Sequence, residues 1–404
     1  MKIVEINMCS YGSTGNIMFN IANIVRDAGG KVLTFSTYRF SFKKYSEKEI
    51  PGHKYYGSRL ESNIHYLAGR LLARNGYFSH HATKKLIQQI DKFNPDIIHL
   101  HNLHSFCINL SILFNYLKNK KVVWTLHDCW AFTGHCAHFT ISGCHKWKIG
   151  CNHCRYYKQY PKVSFDRSAA NYRFKKKLFT QLKNLTIVTP SNWLANLVKE
   201  SFLKSYPVRV INNGVDLDIF KPSTTSNIDY QRIFKGKHII LGVSFVWEYS
   251  KGLDIFEKLC DLLPDDYLVV LVGGQPNDVS NKKIFTIPRT NSQAILAELY
   301  SVADVFLNPT REDTFPTVNI ESLACGTPVI TFDSCGSPEI IDETCGIVLR
   351  NRNMDNIVNT IKKVCIEKPF SKEACLIRAS RYEKKLSFNK YLDLFNEKLI
   401  LEEY

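Results

Sequence analysis

Short apolar, β-branched runs recur along the chain, each followed by a stretch with the three-to-four-residue spacing of an amphipathic helix. In the first half the runs are KIVEINM, KVLTFST, DIIHLH and VVWTLH, with helical patterns over about Asn16 to Ala28 and Ala82 to Phe93. Strands alternating with helices in this way predict a parallel sheet covered on both faces. Ser36 to Gly57, rich in Lys, Tyr and Ser, interrupts the rhythm and reads as a mobile loop.

The second half restarts the pattern with VRVINN, HIILGVSFV, YLVVLVGG, KIFTIP, VFLNP and PVITFD, and with a helix over Gln293 to Ser301. Two Rossmann-like domains of an α/β fold account for both halves. They are expected to face a central cleft, because ligands bind outside the carboxyl ends of such strands. The break falls near Ser205 to Pro207, which gives domains 1–205 and 206–385. Apolar residues at Phe388, Tyr391, Leu392, Phe395 and Leu399 predict a final helix, 386–404, that returns to pack on the first domain.

Length supports the division, since 404 residues are enough for two cores. No apolar run approaches the roughly 18 to 20 residues that span a bilayer, and KIVEI does not open like a secretion signal, so a cytoplasmic protein is expected. Charge changes the picture more. Residues 1–205 hold 30 Lys and Arg against 10 Asp and Glu, a net +20, whereas 206–404 hold 23 against 27, a net −4. A basic first domain suits an anionic partner such as a phospholipid surface, a lipid-linked pyrophosphate or a nucleic acid.

Candidate chemistry is densest in REDTFPTVNIESLACGTPVI, Arg311 to Ile330. Phe315-Pro316 can start a helix and Gly326-Thr-Pro328 stops it, which places Asp313 in the loop before the helix and Glu321 inside it. The free N–H groups of a helix start suit a phosphate, and neighbouring carboxylates accept hydrogen bonds from hydroxyls. Phosphate beside polyhydroxyl describes a nucleotide sugar. Gly12-Ser-Thr-Gly15 after the first strand permits close backbone approach, and Ser13 or Thr14 can cap the helix that follows. His127 directly follows VVWTL, at a strand end; Lys251-Gly252 brings an ammonium between a strand and a helix. In HLHNLH the alternation places His99 and His101 on one face, with His104 beyond the strand end.

Together with PSNWLA, NNGVDLDIFKP, LVGG and YSVADVFLNPT, in this order over nearly the whole chain, these segments resemble the family 4 retaining glycosyltransferases of the GT-B fold, of the kind that build bacterial capsules and other surface polysaccharides. The resemblance implies that Glu321 grips the ribose and that Asp313 contacts the transferred sugar, with the backbone N–H groups of Thr314 and Phe315. It implies that Lys251 holds the diphosphate, that His127 lines the cleft as a catalytic residue with Asp313 and Lys251, and that Gly12 and Gly15 form the N-terminal glycine loop and bind the donor. Two departures stand out. The first acid is Asp313 where the family usually has Glu, which brings Glu312 into consideration. Phe245 stands where the family carries an arginine about six residues before the lysine, so the second cation falls to helix N-termini, Arg311 or Arg289.

An insert, residues 127–154, carries Cys136, Cys144, Cys151 and Cys154 among several histidines, ligands enough for one tetrahedral structural zinc; packed thiols or a labile disulfide are the alternatives. NYRFKKKLFTQL, Asn171 to Leu182, interleaves basic and apolar residues as an interfacial helix does, which would hold the protein peripherally at the inner leaflet. The expected activity is transfer of a hexosyl-type group from a nucleotide sugar to a glycan or polyprenyl-linked acceptor. No catalytic metal is expected, since no Asp-x-Asp lies at a strand end. A nucleotide-sugar epimerase on the same fold would need no acceptor. A nucleic-acid-binding protein would use the basic cysteine-rich half, but the dispersed charges lack a recognition motif and argue against it.

Overall fold

In the computed structural model, residues 1–37, 51–104, 108–223, 230–274, 283–290 and 292–400 are described. One unit comprises Met1–Ile211 with the chain from Phe388 onward, the other Asn212–Ser387.

The first unit is built on β1 (Lys2–Ile6), β2 (Lys31–Thr37), β3 (His53–Tyr56), β4 (Ile97–Leu100), β5 (Lys121–Thr125), β6 (Asn184–Thr189) and β7 (Val208–Val210). They form one sheet in the order β3-β2-β1-β4-β5-β6-β7, every pair parallel. Such strands are buried on both faces, which is why Ile3, Val4 and Ile6 read as a continuous apolar run. One face packs Val4, Leu100, Trp124, Phe114 and Phe179; the other packs Ile3, Ile21, Val25, Ile97 and Val188. Phe388, Tyr391, Leu394 and Phe395 of the helix Lys384–Ile400 complete this second face, as its apolar spacing predicts.

The second unit holds β8 (His238–Val246), β9 (Tyr267–Gly274), β10 (Ile284–Ile287), β11 (Val305–Asn308), β12 (Val329–Phe332) and β13 (Gly346–Leu349). Their order is β10-β9-β8-β11-β12-β13, again all parallel. In each sheet the chain reverses its direction of winding once, between β1 and β4 and between β8 and β11. Loops leaving two such neighbouring strands diverge to opposite faces and leave a hollow at the carboxyl ends, where α/β proteins bind ligands.

Four sequence expectations are corrected. VRVINN does not open the second domain: Ile187 pairs with Val208, so β7 is the edge of the first sheet and the unit boundary falls at Ile211, six residues past the expected 205. The loop expected over 36–57 contains β3, whose Tyr56 is buried and whose polar residues suit an edge strand; residues 38–50 lie outside the described residues. The first helix is Gly12–Asp27, with Tyr11 at its N-cap and no side-chain cap from Ser13 or Thr14. Thr14 Oγ1 instead accepts from Asn7 Nδ2 at 3.2 Å. Lastly, the helix Ser168–Phe179 is no interfacial helix. Tyr172, Leu178 and Phe179 fill the core, and buried Lys175 donates to the Trp130 carbonyl with its ammonium 4.0 Å from the Trp130 ring.

Candidate functional site

At the switch point of the second sheet, the chain leaving β8 delivers Lys251 and the chain leaving β11 delivers Arg311 to Asp313. Lys251 Nζ lies 2.8 Å from Asp313 Oδ2 and 3.4 Å from the Glu312 carbonyl, so the two loops are joined by a cation at the place where ligands bind. Burial disfavours the Lys251 charge, but the Asp313 carboxylate outweighs it and holds the ammonium's pKa above its ordinary value. Gly252 makes the approach. Its φ is +78°, and an added Cβ would come within 2.6 Å of the Pro309 carbonyl oxygen.

Asp313 also accepts from the Phe315 N–H at 3.3 Å, which fixes the turn into the helix Thr317–Ala324. Pro316 is the N-cap and Gly326, at φ +82°, follows the end. Glu321 lies in the middle of that helix. Burial raises its pKa to about 7, although the Tyr300 hydroxyl, 3.2 Å from Oε2, and the Thr317 hydroxyl work the other way. A carboxylate kept so short of solvent is available to a ligand's hydroxyls.

Two arginines were candidates for the cation that Phe245 replaces. Arg311 is committed elsewhere: its two guanidinium nitrogens grip both Asp254 oxygens at 2.8 Å and the group stacks 3.8 Å from the Tyr249 ring. Arg289 is the better placed. Its guanidinium lies 3.7 Å from the centroid of the Phe245 ring, so a positive charge returns to the neighbourhood of the missing arginine from another strand. Sequence spacing could not show this, since the two residues are brought together by β8 and β10 flanking β9.

The first unit has its own switch-point cluster. Gly15 packs so tightly that a Cβ would sit 2.7 Å from the Ser10 carbonyl carbon, and Gly12 takes φ +72°. His127 follows β5 as expected, and its Nε2 is 3.0 Å from Nδ1 of His101, whose Nε2 is 2.9 Å from Glu5 Oε2. Glu5 is fully buried and its pKa is nevertheless lowered, because the charges and hydrogen bonds of His99 and His101 overcome the desolvation. An ionised Glu5 accepts from His101 Nε2–H; burial keeps His101 neutral, with a pKa near 4, so its Nδ1 accepts from His127 Nε2–H. His127 is thereby set in one tautomer, its Nδ1 carrying the lone pair, and burial first, then His101, lowers its pKa well below the ordinary value. The contact of Glu5 with His101 and His127 was not expected from the sequence; a lone acid inside the apolar strand KIVEI, beside HLH, was the available signal. His104 pairs with Asp128 at 2.7 Å, separate from this chain of contacts.

In the insert, all four thiols line one hollow of 390 Å³ together with His135 and His145. Cys136 hydrogen-bonds Cys154, which with the Tyr156 N–H lowers the Cys154 pKa to about 7 against its burial; the Gly134 N–H donates to Cys151 Sγ at 3.2 Å. The thiols do not draw together as a set: among the described residues, only Glu5, His99 and His101 bring three ligand atoms within 4.8 Å of one another.

Two parallel doubly wound sheets, each with a polar cluster at its switch point, define the GT-B class of glycosyltransferase fold. Solved structures agree. Sucrose-phosphate synthase from Thermosynechococcus elongatus matches with a TM-score of 0.71 at 15% identity over 98% of both chains. Anabaena Alr3699/HepE, solved in complex with UDP and glucose, matches at 0.68 and 14% identity over 98% of this chain and all of its own. Residues 50–219 match the family described as Glycosyltransferase Family 4 and residues 225–381 match Glycosyl transferases group 1. The chain belongs to glycosyltransferase family 4. Among curated relatives, the putative colanic acid biosynthesis glycosyl transferase WcaC of Escherichia coli K12 is 28% identical over 251 residues, 59% of this chain and 60% of WcaC. The processive diacylglycerol alpha-glucosyltransferase of Acholeplasma laidlawii is 24% identical over 44% of this chain and 61% of its own length, so the chain spans less than two thirds of either relative.

Proposed function

We propose that the protein is a retaining glycosyltransferase that moves a hexosyl group from a nucleotide sugar to a glycan or polyprenyl-linked acceptor in surface polysaccharide synthesis, working in the cytoplasm. The observation that carries this reading is the Lys251–Asp313 contact across the β8/β11 switch point, eight residues before Glu321 in the helix that Asp313 introduces. Lys251 and Arg289 neutralise the diphosphate, Glu321 accepts from the ribose hydroxyls, and Asp313 with Glu312 and the N–H groups of Thr314 and Phe315 binds the sugar. His127 serves the acceptor side.

In the transfer step the bond between the sugar's anomeric carbon and the β-phosphate oxygen breaks as the acceptor oxygen bonds to the same face of that carbon. The acceptor's proton passes to the departing phosphate, so no dedicated base is needed and configuration is retained. The lysine and arginine act where negative charge develops. No metal takes part in this step; Cys136, Cys144, Cys151 and Cys154, which line one hollow of the insert, would hold a structural zinc.

A thermal-shift panel over UDP, GDP, ADP and CMP and their sugars tests the donor site. HepE, solved with UDP, makes UDP the first choice. A ligand at a hundred times its Kd should stabilise by about 2.7 kcal/mol. If none of the panel shifts the wild type, or if it shifts Lys251→Ala and Glu321→Gln equally, the reading fails. Isomerised sugar formed without acceptor would point to an epimerase instead.

A further inference from the structure

The helix Arg59–Leu71 wears its amphipathicity inside out. A surface helix of a globular protein ordinarily turns its apolar stripe to the core. Here Leu60 is 69% exposed, Ile64 56%, Leu67 59% and Leu71 54%, and Leu72 just beyond the helix is 47% exposed. At about 100° per residue the four helical positions fall within an arc of about 60°, a straight ridge roughly 16 Å long. Only His65 and Gly69 of this helix are buried.

The orientation is fixed by the polar edge. Glu61 accepts from the Ala82 N–H at 2.9 Å, Ser62 and Thr37 hydroxyls are 3.1 Å apart, and the His65 ring bonds the Ser79 hydroxyl at 2.7 Å while accepting from the Gly76 N–H at 3.4 Å. Burial drops the His65 pKa to about 3, so this anchor is neutral at any physiological pH. The helix is thus bolted to the domain through carboxylate, hydroxyl and imidazole, with its leucines outward. Rolling it over to hide them would break these bonds.

Charge decides what meets the ridge. From His53 to Lys85 the chain has six Lys and Arg and one acid, Glu61, which is already engaged. Arg59 and Arg70 lie along one flank of the ridge and Arg74 follows it in sequence, within a half of the chain that carries +20. An apolar ridge flanked by arginines matches a leaflet of anionic phospholipid, whose acyl boundary takes the leucines and whose headgroups take the guanidinium groups. We propose that the Leu60–Leu71 face is a docking surface for an anionic phospholipid membrane. It belongs to the first unit and does not depend on the chemistry assigned to the second.

Flotation with vesicles tests it, comparing phosphatidylglycerol–phosphatidylethanolamine with phosphatidylcholine alone. The full-length wild type should float with the anionic vesicles, and Ile64→Glu/Leu67→Glu should stay in the soluble fraction at every lipid concentration while melting at the wild-type temperature. Arg59→Gln and Arg70→Gln should each lower the partition coefficient about fivefold, and salt should do the same. Wild type that does not float, or a double glutamate variant that floats equally well, overturns the proposal. So does wild type that runs as a dimer which the glutamate variant dissociates, since the ridge would then belong to a second copy. Nucleotide-induced thermal shifts read the donor site separately, so a failure of one assignment is not mistaken for a failure of the other.

Discussion

Lys251 meets Asp313 beyond the end of β8, and Arg289 stacks on Phe245 from beyond β10. Removing the ammonium by Lys251→Ala also strands Asp313, so nucleotide affinity measured by calorimetry should fall about 10- to 150-fold. Arg289→Ala should weaken the same affinity less, and Phe245→Arg should restore it; a double variant no better than Arg289→Ala would remove Arg289 from the site. Glu321 makes the site pH-sensitive. Its folded pKa is raised from 4.5 to about 7 by burial, so ionised Glu321 accumulates as pH rises through about 7, and with the ribose role proposed for it donor affinity should rise too. Between pH about 4.5 and 7 the folded chain holds the extra proton, so this group's contribution to stability declines as pH rises. Both trends should vanish in Glu321→Gln, as isothermal titration and thermal melts over pH 5 to 8 would show. The convergence of Lys251 on the loop of Asp313, and the place of Glu321 in the helix that follows, were legible in the sequence because motif and chain order carry them. The Glu5–His101–His127 chain was not, because residues 96 positions apart meet only once β1 and β4 pair.

Elements show the same division between pattern and pairing. Strands β8 to β12 and the helix from Thr317 announce themselves through apolar runs and a Pro–Gly frame; β7 shows as a run whose sheet the sequence does not tell, and the polar edge strand β3 and the short edge strand β13 were not read as strands. Spacing likewise misassigned the basic helix at 168–179, where Lys175 lies over an indole inside the core, and passed over Arg59–Leu71, whose outward leucines look like an ordinary core stripe. At this scale β1, β4 and β5 act together to hold His127 through Glu5 and His101. His101→Ala should therefore lower kcat by roughly 10- to 100-fold with donor affinity in the second unit unchanged. It should add nothing in a His127→Ala background, and ring nitrogen NMR of His127 should show the tautomer released. The four thiols of the insert make a further element-scale test: tag-free protein should carry one zinc per chain, and Cys136→Ser should lose both the metal and melting temperature.

Each unit carries its own buried apolar clusters, and residues 388–400 belong to those of the first. Phe395 is fully buried among Ile3, Ile21 and Val188, so Phe395→Ala should cost about 3–5 kcal/mol in the first unit's unfolding transition while leaving the second unit's in place. Scanning calorimetry would resolve the two. The returning helix also sets an order of assembly on the ribosome. Asn212–Ser387 can close its sheet as soon as it emerges, whereas the sheet laid down by residues 1–211 keeps the flank of Ile3, Ile21 and Val25 open to solvent until synthesis has passed residue 395. For that interval the nascent chain displays a wet, apolar gap that a chaperone could recognise, and the earlier domain is completed only after the later one has been made.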